Sequence, residues 1–161
     1  MDMIGFREFK SNDVENMTVI MKAAFDEDSV LFKEVPDGPP GYDDGSFLRK
    51  YALDAKSDSF CITLKGKDIG VVIIWPNMKL AENFLGCIFI EPSLRKMGLG
   101  KKVWDEVEKM YPDTKVWRTE TPLCSLRNLN FYINKCGFMA HAITDPQSYE
   151  EAQVQLVKFV R

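Results

Sequence analysis

A short stretch near the middle of the chain, IEPSLRKMGLGKKVW (residues 90–104), limits the folds open to it more than any other segment. An apolar run ends at Pro92, and a basic cluster follows (Arg95, Lys96, Lys101, Lys102). Gly98 and Gly100 stand two apart, and a helical apolar spacing begins at Leu99 and continues through Val103, Val107 and Met110. A strand that turns through glycines directly into a helix is a ready anion site. The first helical N–H groups lack intrahelical acceptors, and the helix dipole is positive at that end. Glycine also lets the backbone approach an oxygen-rich ligand with no Cβ between them. The competing reading is a basic corner whose glycines only start a helix.

The flanking sequence supplies a sheet. MIGFREF alternates apolar and polar residues as a half-buried strand does. SNDVENMTVIMKAAF places Val14, Met17, Met21, Ala24 and Phe25 at helical spacing, with Asn12 and Glu15 as cap and third residue. Residues 26–45 are rich in Pro, Gly and Asp and read as loop, followed by a short helix over SFLRKYALDAK. FCITLK and IGVVIIW, separated by Gly66-Lys67-Asp68, read as an antiparallel hairpin, and ENFLGCIFI as the next strand. TKVWRTE is a further strand, residues 125–135 a helix capped by Gly137, and FMAHAIT and AQVQLVKFV two closing strands. The order predicts a mixed α/β, α+β-like layer architecture in a single domain over residues 1–161.

Composition excludes several classes. Of the 161 residues 45% are hydrophobic and 28% charged, an ordinary globular balance, and the net charge of −3 argues against a nucleic-acid binder driven by overall charge. The N-terminus shows no leader pattern and no apolar run is long enough to span a bilayer, so a cytoplasmic protein with no membrane or nucleic-acid partner is expected. Four cysteines (Cys61, Cys87, Cys124, Cys136) lie far apart and His141 is the single histidine, which disfavours a metal centre, a disulfide framework and a histidine-activated nucleophile.

Three phosphate motifs compete for the glycine turn. A Walker loop requires glycine where Arg95 stands and Ser or Thr where Lys102 stands. A dinucleotide fingerprint requires Gly or Ala at Val103, and an antiparallel hairpin is foreign to it. The third pattern, R-x-x-G-x-G at Arg95 to Gly100, is followed by NLNFYINKCGF at residues 128–138. With both motifs and the element order, the chain resembles the GNAT superfamily of N-acetyltransferases over essentially its whole length. The resemblance implies a mostly antiparallel sheet of about seven strands with about four helices, splayed between the fourth and fifth strands.

It also implies acetyl-CoA as cofactor without a metal. Main-chain groups of Ile88, Phe89 and Ile90 would meet the pantetheine arm. Amides from Lys96, Met97, Gly98, Leu99, Gly100 and Lys101 would cradle the pyrophosphate, with Arg95 adding charge. Tyr132 corresponds to the tyrosine that protonates the departing thiolate. It stands five residues before Gly137 where the family has four, a rotation of about 100° on an α-helix. The family's asparagine falls on Ser125, and Asn128, four before Tyr132, shares its helix face. Glu120 is the leading candidate for the general base and Glu82 its rival. Between Asp26 and Asp44 lie seven acidic residues, one lysine and Tyr42, a composition suited to a cationic acceptor. The expected reaction is acetyl transfer to a primary amine, of a small molecule or a peptide, by direct attack in a ternary complex. A homodimer is compatible with this, and a catalytically silent acyl-CoA-binding module is the alternative.

Overall fold

The computed structural model describes residues 3–161; Met1 and Asp2, part of the N-terminal stretch read above, lie outside them. Seven strands, β1 (Ile4–Glu8), β2 (Asp58–Leu64), β3 (Lys67–Asn77), β4 (Glu82–Ile90), β5 (Val116–Pro122), β6 (Met139–Thr144) and β7 (Gln153–Phe159), form one sheet. Their order is β1-β2-β3-β4-β5-β7-β6. Neighbours are antiparallel except β4 and β5, whose parallel ladder has only the pairs Glu82–Val116, Asn83–Trp117 and Phe84–Arg118. Beyond Phe84 the two strands part, with the Thr119 hydroxyl donating to the Leu85 carbonyl at 2.8 Å as the last crosslink. The expected architecture and its splay are both present.

Helix α1 (Val14–Lys33) is longer than its sequence suggests, since residues 26–33 are helical rather than loop. It opens through a 3-10 turn, Ser11–Asp13, rather than a cap at Asn12, and the Asp13 carboxylate accepts the Lys10 N–H at 2.8 Å. It closes at Glu34 in the left-handed region (φ 66°), two residues before Pro36. Helix α2 (Ser46–Tyr51) follows. Helix α3 (Leu99–Met110) buries Leu99, Val103, Trp104 and Val107, so Trp104 takes the core position expected of Met110, which is exposed.

The β2–β3 hairpin turns on Lys65 and Gly66 (φ 51° and 81°), a two-residue turn of the sense that matches strand twist. Strand β3 is buried on both faces. Val71 and Ile73 join a core under α1 and α2; Val72 and Ile74 join the core that holds Trp104, Trp117 and Phe138 under α3. In β4 the register slips between its pairs with Ile73 and Ile74, leaving Gly86 as an extra residue. The bulge reverses the side-chain alternation: Leu85 belongs to the α3 core, whereas Cys87 and Phe89 belong to the α1 core.

Candidate active site

The bulge re-aims the strand that borders the gap. The Glu91 N–H donates to Ile69 O on β3 at 2.7 Å, so alternation gives the main-chain groups of Phe89 to β3 and turns those of Ile88 and Ile90 toward the opening. Of the three expected pantetheine contacts, Ile88 and Ile90 therefore present main-chain edges to the gap. Phe89 uses its own in the sheet and packs its ring in the α1 core.

After β4 the chain makes a 3-10 turn, Pro92–Met97, and Gly98 enters α3 in the left-handed region (φ 69°). Its chain neighbours aside, no atom of the described residues lies within 4 Å of the place a Gly98 Cβ would take, so the N-terminus of α3 faces open space. A Gly100 Cβ would come within 3.0 Å of the Phe131 ring, so this glycine serves close packing of α3. A cavity of about 260 Å³ opens here, lined by Ile88, Phe89, Ile90, Arg95, Gly98, Leu99, Gly100, Lys101, Asn128 and Tyr132 among others. Lys96 and Met97 are exposed and do not line it. Arg95 is anchored elsewhere: it donates to Ala24 O at 2.7 Å, with Glu27 at 4.0 Å, and ties the turn to α1. Lys101 pairs with Asp105. Arg127, which no motif pointed to, and Lys135, which lies inside the second motif but was given no role there, also line this cavity.

Tyr132 reaches the gap through a local irregularity. Helix α4 (Leu126–Leu129) continues as a π-helical turn, Asn130–Lys135. Cys136 N–H donates to Phe131 O at 3.0 Å, five residues back, and Phe138 N–H to Tyr132 O at 2.9 Å, six back, around Gly137 (φ 85°). Each bond is one residue wider than its α-helical counterpart, so the turn absorbs the residue that separates Tyr132 from the usual spacing. Tyr132 is buried between Phe131 and Phe138, with ring centroids 5.3 and 5.6 Å away. Burial pushes its phenol well above the ordinary value, with the Cys87 and Cys136 thiols adding and the Thr119 hydroxyl opposing.

A second cavity, of about 710 Å³, lies on the α1 side of the gap. Five residues line both cavities: Phe25, Asp28, Ile88, Asn128 and Tyr132. Asn128 donates to the Thr121 hydroxyl at 3.2 Å. Glu120 faces the second cavity, exposed, and accepts from Gln155 at 2.8 Å. Glu82 lies at the closed end of the β4–β5 ladder, bound by Arg118 at 2.5 Å, and lines neither cavity; the geometry separates it from the site. The walls are aromatic: Phe32, Phe47, Tyr51, Trp75 and Phe84. The Trp75 ring lies over Gly86, where a Cβ would fall 2.0 Å from its edge, so the bulge glycine makes room for this wall. Tyr42 does not line the cavity; it donates to Asp26 at 2.5 Å, which raises its own pKa to about 12 and fastens the loop to α1.

The two cavities differ in charge. The charged groups lining the first are Arg95, Lys101, Arg127, Lys135 and Asp28; those lining the second are Asp28, Asp37, Glu120, Glu150 and Lys33. Sequence reading missed Asp28 as an individual because it sat within a run taken as loop. It missed Trp75, Phe84 and Glu150 because their strands and loops meet only in the fold.

Comparison with known proteins agrees with the geometry. Residues 21–138 match the Acetyltransferase (GNAT) family. A protein of Bacillus subtilis strain 168, YrkN, is 40% identical over 73 residues, which make up 45% of this chain and 40% of that protein. Among solved structures, the PaiA N-acetyltransferase of Thermoplasma acidophilum in complex with coenzyme A aligns with a TM-score of 0.76 at 13% identity, covering 98% of this chain and 99% of that one. A Bacillus subtilis acetyltransferase in complex with CoA gives 0.66 at 15% identity over 100% of both chains. A chimera of the Vibrio cholerae spermidine N-acetyltransferase SpeG and hSSAT gives 0.72 at 12% identity, over 97% and 95%. With that family model matching residues 21–138, the chain belongs to the GNAT family of acetyltransferases.

Proposed function

We propose that the protein transfers an acetyl group from acetyl-CoA to the primary amine of a cationic acceptor, small molecule or peptide, by direct attack in a ternary complex. The observation that carries this reading is the pair of cavities of opposite charge that meet at Ile88 and Tyr132. The basic cavity suits the anionic half of CoA, and the acidic, aromatic one suits an ammonium, through both charge and cation–π attraction. The residues fit the cofactor because Gly98, in the left-handed region, starts α3 on open space where an anion can meet the helix N-terminus. Amides from Gly98 to Lys101 would hold the pyrophosphate, and the main-chain edge of Ile88 and Ile90 the pantetheine arm. When bound, acetyl-CoA supplies the activated thioester.

The chain's own groups do the rest. An N–H on the open edge of β4 would stabilise negative charge on the carbonyl oxygen. Tyr132, kept protonated by burial, would donate its proton to the leaving sulfur. Glu120 would draw the ammonium into the second cavity. The test is calorimetric titration with acetyl-CoA joined to thiol-release assays over spermidine, a lysine peptide and phenethylamine. Binding with release on at least one cationic amine is expected. Binding without release on any amine would favour a silent binding module, and no binding would overturn the cofactor assignment. Gly98→Val should bind CoA far more weakly than the wild type; normal affinity would contradict the cradle.

A further inference from the structure

We propose that Asp28 on α1, rather than Glu120, takes the proton from the attacking amine. The inference rests on the acetyl-transfer reading and adds the group that activates the acceptor. Asp28 is the one carboxylate among the five residues that line both cavities, so it stands where acceptor and cofactor must meet. Glu120 lines only the acceptor side and is already bound by Gln155.

The hydrogen bonding of Asp28 is half complete. Its Oδ2 accepts from the Ser125 hydroxyl at 2.8 Å, which fixes the carboxylate plane. Its Oδ1 is buried with no hydrogen-bond partner among the described residues. The nearest cation, Arg127, stands 4.0 Å away, too far for a hydrogen bond, and its Nη1 is likewise buried without one. A buried acceptor with no donor is uncommon, and an ammonium entering from the second cavity would supply the donor. The helix aims the group: Phe25, Asp28, Ser29 and Phe32 recur at helical spacing and line the second cavity as one stripe. Serine at position 125, where the family pattern has asparagine, is the residue that holds it.

Several charged and titratable groups share the site. Glu27 is beside Asp28 on α1, Arg127 and Ser125 approach from α4 and its entry, and Cys124 and Lys33 lie near its acceptor side. Tyr132 lies across the junction and Glu120 stands on β5. Burial holds the Asp28 carboxyl above its ordinary range, with Glu27 adding, while the Ser125 bond and Arg127 pull it down. A raised carboxyl is a better base toward an ammonium than a solvated one.

In the step itself, the ammonium gives one proton to Asp28 Oδ1 and its nitrogen forms a bond to the acetyl carbon. The carbon–sulfur bond breaks with its electrons on sulfur, which takes the Tyr132 proton. The surplus proton on nitrogen then returns to Tyr132, and Asp28 releases its proton to water. The sum is ammonium plus thioester giving amide, thiol and one proton.

The experiment measures kcat against pH for the wild type, Asp28→Asn, Glu120→Gln and Arg127→Met, using the amine the wild type acetylates fastest among those named above, with CoA affinity by calorimetry. Asp28→Asn should lose about a hundredfold in kcat, erase the acid limb and keep CoA affinity within about twofold. Arg127→Met should move the acid limb to higher pH, because removing the cation raises the Asp28 pKa, and this carries the test if Asp28→Asn does not fold. Glu120→Gln should leave the limb in place. Asp28→Asn with a near-normal rate and limb, or an Arg127→Met limb that does not move, would overturn the role of Asp28 alone. A wild type that binds CoA and acetylates none of the amines would overturn the transfer reading as well.

Discussion

Tyr132 and Gly86 show how much a single position decides. Substituting Tyr132→Phe keeps a ring between Phe131 and Phe138 but removes the donor, so kcat should fall about a hundredfold while CoA affinity stays near wild type. Because burial raises this phenol, wild-type kcat should show no decline from its ionisation up to the ordinary tyrosine range near pH 10; an alkaline limb in the neutral range that Tyr132→Phe removes would contradict this. Gly86→Ala would place a methyl 2.0 Å from the Trp75 ring. It should destabilise by about 1–3 kcal/mol through overpacking and raise the KM for the amine as Trp75 shifts, while CoA binding holds. Urea unfolding and a KM comparison check both parts. The sequence marked Tyr132 through its downstream glycine, but nothing in it marked Gly86, whose role depends on an indole eleven residues earlier on another strand.

Among the elements, the strands of the central sheet were legible because their apolar runs and turn residues agree, as in the Lys65-Gly66 hairpin. Helix α1 was cut short by its charges. Asp26 reads as the start of a loop, yet it pairs with Lys22 one turn back, and Lys33 with Asp37 extends the same pattern past the helix end. An acidic residue paired one turn back does not by itself end a helix; Pro36 is the better signal. The π turn was invisible as such, since its only trace is one residue too many between Tyr132 and Gly137. That gives a direct check: deleting Asn134 should close the turn to α-helical width, leave Tyr132 on its face, and preserve both fold and thiol release. Loss of activity in a folded deletion variant would show that the wide turn has a use beyond absorbing the extra residue.

In the molecule as a whole, three buried thiols make stability depend on pH. Burial pushes Cys87 and Cys136 up to about 12 from 9.0, and Cys61 likewise, so the folded protein keeps protons that the unfolded chain releases above about pH 9. The unfolded state then binds fewer protons, and stability should be complete below pH 9 and fall as pH rises toward 12. Urea midpoints at pH 8 and 10.5 should separate, and a Cys61→Ala, Cys87→Ala, Cys136→Ala protein should show a smaller drop. At this scale the sheet and its splay are legible through the family pattern, whereas the opposite charges of the two cavities arise only when α1, β5 and α4 are brought together. The strand order carries one more consequence. Strand β7 is made after β6 but lies between it and β5, and β5 meets β4 through only three residue pairs. During synthesis, therefore, β5 has no full lateral partner until residues 153–159 have left the ribosome, and the cleft is among the last features to form. Nascent chains stalled before β7 should present Trp117 to solvent and fail to retain CoA, which makes cofactor capture a natural reporter of completed folding.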